Sequence, residues 1–153
     1  FVDGDGTLVA WTHVDWVLLD GRGGPTRIPP EFEQAFGTPQ ATFPLGRVPL
    51  DPTPADAARL EFTVRPQELD PMDHVNNAVY ADWLEEGVLA AGGAADLAAV
   101  PRLVRLEYAR SAERAASLSG DTWRADDGWS YRLSERDGAE LLRARLERGV
   151  APA

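Results

Sequence analysis

A chain of 153 residues, 44% hydrophobic and 26% charged, is long enough for one packed domain, or one domain with an appendage. Its formal net charge of −10 and pI near 4.6 oppose general binding to nucleic acid, whose phosphates it would repel. The lack of Cys excludes disulfides, thiolate metal sites and cysteine nucleophiles, and all 15 basic residues are Arg, which excludes a lysine Schiff base. No uninterrupted apolar run approaches membrane-spanning length, and no basic segment leads into an apolar one at the start. Membrane insertion is therefore not expected, and a cytoplasmic location fits the cysteine-free composition. The chain starts at Phe1 in what reads as mid-protein, so a fragment or processed product is expected.

In chain order, residues 1–36 hold one strand-like run, Leu8 to Leu19, rich in Val, Trp and Thr. A Gly-rich turn at Gly21–Gly24 follows, then Arg27-Ile28-Pro29-Pro30 and a short segment ending near Phe36. Residues 37–58 carry Pro39, Pro44, Pro49, Pro52 and Pro54, which neither donate to a ladder nor continue a helix, and read as a linker between two structural units. From Leu60 the pattern sharpens. Leu60, Phe62 and Val64 alternate with Glu61, Thr63 and Arg65, the period of a half-buried strand. Asn76 or Asn77 is placed to cap a helix, and Val79, Tyr80, Trp83, Leu84, Val88 and Ala91 recur at helical spacing over residues 77–91. Gly92-Gly93 is a stop signal.

Four strands are predicted beyond it. They lie around Val104–Tyr108, Ala115–Ala125, Trp129–Leu133 and Leu142–Leu146, with Asp127-Gly128 and Asp137-Gly138 at hairpin positions. One strand, one long helix and an antiparallel run of strands make an α+β domain over residues 59–150, in which the helix must cover the apolar face of the sheet.

The stretch Asp70-Pro71-Met72-Asp73-His74-Val75-Asn76-Asn77 places a carboxylate, an imidazole and two carboxamides where a strand passes into a helix. Helix N-terminal N–H groups suit a developing oxyanion, and a carboxylate four residues before a His can orient it or act as base or nucleophile. Each residue also has a plain structural use. Asp70 before Pro71 suits a turn, one of the two asparagines suits the helix cap, and Tyr80 and Trp83 suit core packing.

This stretch, with Tyr80 and Trp83 at their spacing, resembles the hotdog thioesterase superfamily, and within it acyl-acyl-carrier-protein (acyl-ACP) and acyl-CoA thioesterases. The resemblance implies a sheet wrapped around one central helix. It implies hydrolysis of an acyl thioester without metal or other cofactor, Asp70 acting as base or nucleophile and His74 and Asn77 polarising the reacting groups. Asn76, Tyr80, Trp83 and Glu85 would line the substrate path. Residues 1–36 resemble the closing strands of a preceding hotdog unit, so a tandem pseudo-dimer or a homodimer is expected. Two departures stand out: Met72 where plant members carry Asn, and Ser111-Ala112 where they carry an acidic residue and Cys. A catalytically degenerate acyl-binding protein is the alternative they raise.

Two further features need weighing. Phe1-Val2-Asp3-Gly4-Asp5-Gly6-Thr7 resembles the first motif of haloacid-dehalogenase-type phosphatases, with Asp3 and Asp5 on Mg²⁺. That fold alternates strands and helices, however, and an Asp-Gly hairpin turn is the simpler reading. Arg102, Arg105, Arg110 and Arg114 crowd together in sequence, and suit either a solvated strand face or the docking of an anionic carrier.

Overall fold

The computed structural model describes residues 1–18, 20–22, 24, 26–37, 47–126 and 128–149. It divides the chain into two compact units, Phe1–Gly46 and Arg47–Ala153. In the first, Asp3 caps a tight turn that closes an isolated bridge between Val2 and Leu8. The strand expected from Leu8 onward does not form a ladder in the described residues. Alternation specifies a strand only where a neighbour accepts its hydrogen bonds, and here Val9, Trp11, Val14 and Trp16 are exposed, Trp16 by 82%. Asp20 turns the chain by accepting from Arg22 N–H and Gly24 N–H at 2.8 and 2.9 Å. Helix α1, Pro30–Phe36, begins at a proline and ends at Gly37, whose φ of +77° suits a C-terminal stop.

The second unit carries the expected α+β order. Strand β1 (Ala58–Thr63) leads through a 3₁₀ turn (Pro66–Glu68) to helix α2 (Asn77–Ala90) and short helix α3 (Ala94–Leu97). Strands β2 (Arg102–Tyr108), β3 (Ser117–Ala125), β4 (Gly128–Glu135) and β5 (Glu140–Arg148) follow. The sheet order is β1-β3-β4-β5-β2, antiparallel throughout. Alternation decides the faces. Leu118, Tyr131, Leu133, Leu142, Ala144 and Leu146 meet Tyr80, Trp83, Leu84 and Val88 of α2 in one core.

Glycines leave room for large core side chains. A Cβ at Gly120 would lie 2.5 Å from the Tyr131 hydroxyl, and one at Gly93 would lie 2.8 Å from Trp129. α2 ends in a Schellman arrangement, Gly92 N–H bonding Leu89 O at 3.0 Å and Gly93 N–H bonding Val88 O at 2.8 Å. The following α3 is pinned through Asp96, which is 4% exposed. Its carboxylate accepts from Trp129 Nε1 at 2.9 Å and Arg124 at 2.7 Å, and pairs with Arg148.

The expected linker divides differently. Residues 38–46 lie outside the described residues, whereas 47–57 pack against the face of the sheet turned away from α2. Val48 is 6% exposed and donates its N–H to Glu107 at 2.8 Å, and Arg132 reaches Thr53 Oγ1 at 2.6 Å. Glu107 and Arg132 alternate with core residues on β2 and β4, which places both on the outer face. These contacts lie within the compact unit that runs from Arg47.

Candidate active site

The Asp70–Asn77 stretch is a loop closed on itself. An isolated bridge pairs Leu69 with Val75, and Asp70 N–H donates to His74 O at 2.7 Å. The Asp70 carboxylate folds back over this loop. Its Oδ1 accepts from Met72 N–H at 2.8 Å and His74 N–H at 3.1 Å, the turn role open to an Asp before Pro. Oδ2 takes no hydrogen bond among the described residues. Asp73 adopts φ +65° and its carboxylate pairs with Arg114 from the β2–β3 connection.

Asp70 and His74 thus share one loop. The imidazole is exposed and makes no hydrogen bond to the carboxylate. Asn76 is the cap of α2, its Oδ1 accepting from Ala78 N–H at 3.0 Å. Its own N–H donates to Glu68 O at 2.9 Å, so it is not available to a ligand. The N–H groups of Val75 and Asn77 have no partner among the described residues, and neither does the Asn77 carboxamide. A carboxylate oxygen, a carboxamide and a helix N-terminal N–H without hydrogen-bond partners among the described residues thus lie, with the exposed His74, within residues 70–77, on one loop and the first residue of α2.

The other expected site residues separate from this group. Tyr80 stands behind the loop, 1% exposed, its hydroxyl accepting from Ala112 N–H at 2.8 Å. Trp83, 2% exposed, lies in the core against Phe62 at 5.5 Å. Glu85 is eight residues beyond Asn77, about 12 Å along the helix axis, and reaches Arg102 at 3.3 Å.

Two residues that nothing in the sequence ties to this loop are brought to it. Tyr108, the last residue of β2, is 42% exposed and donates its hydroxyl to the Asn77 carbonyl oxygen at 3.1 Å. Its ring stands edge-on to Tyr80 at 5.4 Å. Burial raises the pKa of both phenols, so Tyr108 remains a donor at neutral pH. Arg114 ties the loop through Asp73. Both are visible as types in the sequence, but pairs 31 and 41 residues apart carry no local signal.

The arginine cluster disperses on folding: Arg102 meets Glu85, Arg105 meets Glu147 and Arg114 meets Asp73. Asp3 uses its carboxylate on the N–H groups of Asp5 and Thr7, at 3.0 and 2.9 Å, as a turn residue does. Among the described residues no three His, Asp or Glu side chains gather as a metal site.

An antiparallel five-stranded sheet around one long helix is the hotdog fold of thioesterases. Residues 52–140 match the acyl-ACP thioesterase C-terminal domain, and the chain belongs to that family. The 12:0-ACP thioesterase from Umbellularia californica superposes with a TM-score of 0.63 at 23% identity, covering 84% of this chain and 52% of the plant enzyme. The chain thus spans about half the length of that relative. A hypothetical protein from Staphylococcus aureus, solved in complex with CoA, superposes with a TM-score of 0.50 at 12% identity, covering 63% of this chain and 88% of its own. At these identities both show the fold. No curated protein matches the chain in sequence.

Proposed function

We propose that this chain hydrolyses acyl thioesters at the Asp70–Asn77 loop, releasing a carboxylic acid and a thiol. What supports the reading is that Asp70, His74 and Asn77 share one short loop and helix start, where Asp70 Oδ2 and the Asn77 N–H and carboxamide have no hydrogen-bond partner among the described residues and His74 is exposed. Asp70 either removes a proton from the attacking water, which displaces the thiolate, or attacks the carbonyl itself, displacing the thiolate to leave an acyl–Asp70 anhydride that water then hydrolyses. The oxyanion gains the Asn77 N–H and the positive end of the helix, and His74 stands where it can polarise the thioester or protonate the leaving sulfur.

Family membership supports acyl-ACP as the carrier, with acyl-CoA sharing the pantetheine thioester. A cytoplasmic setting accords with such substrates. The unpaired edge of β2, where Val104 and Tyr108 are 38% and 42% exposed, supports pairing with a second hotdog unit, in tandem or as a homodimer. Residues 1–36 would then belong to the closing part of a preceding unit.

Thiol release from a panel of acyl-ACPs and acyl-CoAs, wild type against Asp70→Asn, tests the reading. A loss of at least about 100-fold in kcat is expected for the variant. Equal rates would remove catalysis from this loop.

A second reading, acyl binding without turnover, is favoured by Ser111 and Ala112. They bring neither carboxylate nor thiol to the position beside Tyr80, and Ala112 is fully buried. Saturable acyl binding with no thiol released from any substrate would establish it.

A further inference from the structure

We propose that Tyr108 is a positioning residue for the thioester reaction, acting through the Asn77 peptide; this rests on the reading of the Asp70–Asn77 loop given above. Asn77 carries the groups through which the helix end would meet an oxyanion, namely a backbone N–H and a carboxamide without partners among the described residues. Its carbonyl oxygen is the one part held from outside the helix, by the Tyr108 hydroxyl at 3.1 Å. Among the described residues no other side-chain hydrogen bond reaches the first turn of α2 from another strand.

The phenol is itself fixed. Its ring meets Tyr80 edge-on at 5.4 Å and 87°, and Tyr80 is bonded to Ala112 N–H at 2.8 Å. Two tyrosines therefore tie β2 and the β2–β3 connection to the point where α2 begins. The loop before Asn77 is braced separately, by the Asp70 carboxylate and by the Arg114–Asp73 pair. Loss of the Tyr108 hydroxyl would leave that loop closed but free the Asn77–Ala78 peptide to tilt, and with it the Asn77 Cα that carries the carboxamide. A small tilt of a polarising group lowers turnover more than binding.

The test compares wild type, Tyr108→Phe and Asp70→Asn in one thioesterase assay, with amide exchange followed by NMR. Tyr108→Phe keeps the ring on Tyr80 and removes only the hydroxyl. Expected are a kcat about tenfold lower with KM within about twofold, and a thermal midpoint within about 2 °C of wild type. Amide exchange should quicken several-fold at Ala78, whose N–H belongs to the same peptide group as the clamped Asn77 carbonyl, and stay unchanged at Val88. Wild-type kcat and wild-type exchange in Tyr108→Phe would overturn the proposal. So would a rate loss accompanied by the same fall in thermal midpoint as Tyr108→Ala, which would reduce the residue to packing. If Asp70→Asn retains full activity, or wild type has none, the hydrolase reading fails on its own, and the exchange data alone then decide whether the clamp exists.

Discussion

The Tyr131 ring fills the notch left by Gly120, and its hydroxyl is buried without a hydrogen-bond partner among the described residues. Burial raises the pKa of that hydroxyl far beyond any physiological range, so it is never charged. Because removing an unsatisfied buried group removes a desolvation cost, Tyr131→Phe should unfold in urea within about 1 kcal/mol of wild type, on the more stable side. Gly93 is the opposite case. Its backbone conformation is ordinary, φ −87°, but a methyl there would strike Val88 and Trp129. Gly93→Ala should therefore cost about 2 kcal/mol in the same measurement, through overpacking. A cost near zero would mean that α3 shifts freely.

At the level of elements, α2 and its start were readable because every signal there is local. Asn76 caps the helix by accepting the Ala78 N–H, hydrophobic residues recur at helical steps, and Gly92-Gly93 ends the run where the Schellman bonds form. Asn76→Ala should lower stability by about 1 kcal/mol, measured by thermal unfolding. The strands after it were also legible, although alternation is weaker over Ala115–Ala125; Asp137-Gly138 falls in the β4–β5 turn with Gly138 at φ +90°, whereas Gly128 already belongs to β4, opposite Ala125.

Where reading failed, the deciding partner was distant or absent. The Leu8–Leu19 run has strand composition and no ladder neighbour among the described residues. Five prolines hid the packing of 47–57, because what orders that segment is Glu107 and Arg132, which are 59 and 79 residues away from their partners Val48 and Thr53. The candidate site divides on the same principle. Asp70, His74, Asn76 and Asn77 sit within one short loop and its helix cap. Tyr108 and Arg114 arrive across the fold, and Trp83, placed by helical spacing alone, turns into the core.

Among the described residues of the second unit three carboxylates are buried, Glu68, Asp96 and Glu147, and each is paired with arginine. Asp96 accepts from Trp129 and Arg124 and pairs with Arg148, and these contacts, the Trp129 hydrogen bond first, hold its carboxyl below the ordinary 3.8. A carboxyl with a lower folded than unfolded pKa binds its proton more weakly when folded. Its stabilisation is thus complete above about pH 5 and is lost as pH falls below 3.8 toward the folded value. Asp96→Asn should be less stable than wild type at pH 7 by about 2 kcal/mol, and the gap should close as the unfolding is repeated toward pH 3. A gap independent of pH would assign Asp96 a purely steric role. The strap of residues 47–57 bears on how this protein is best cut. Trimming the chain to start at Ala58, where the first strand begins, would uncover Glu107 and Arg132 and discard the buried Val48 side chain. A chain starting at Arg47 should melt several degrees higher and stay in solution longer than one starting at Ala58, although the two share every strand and the long helix.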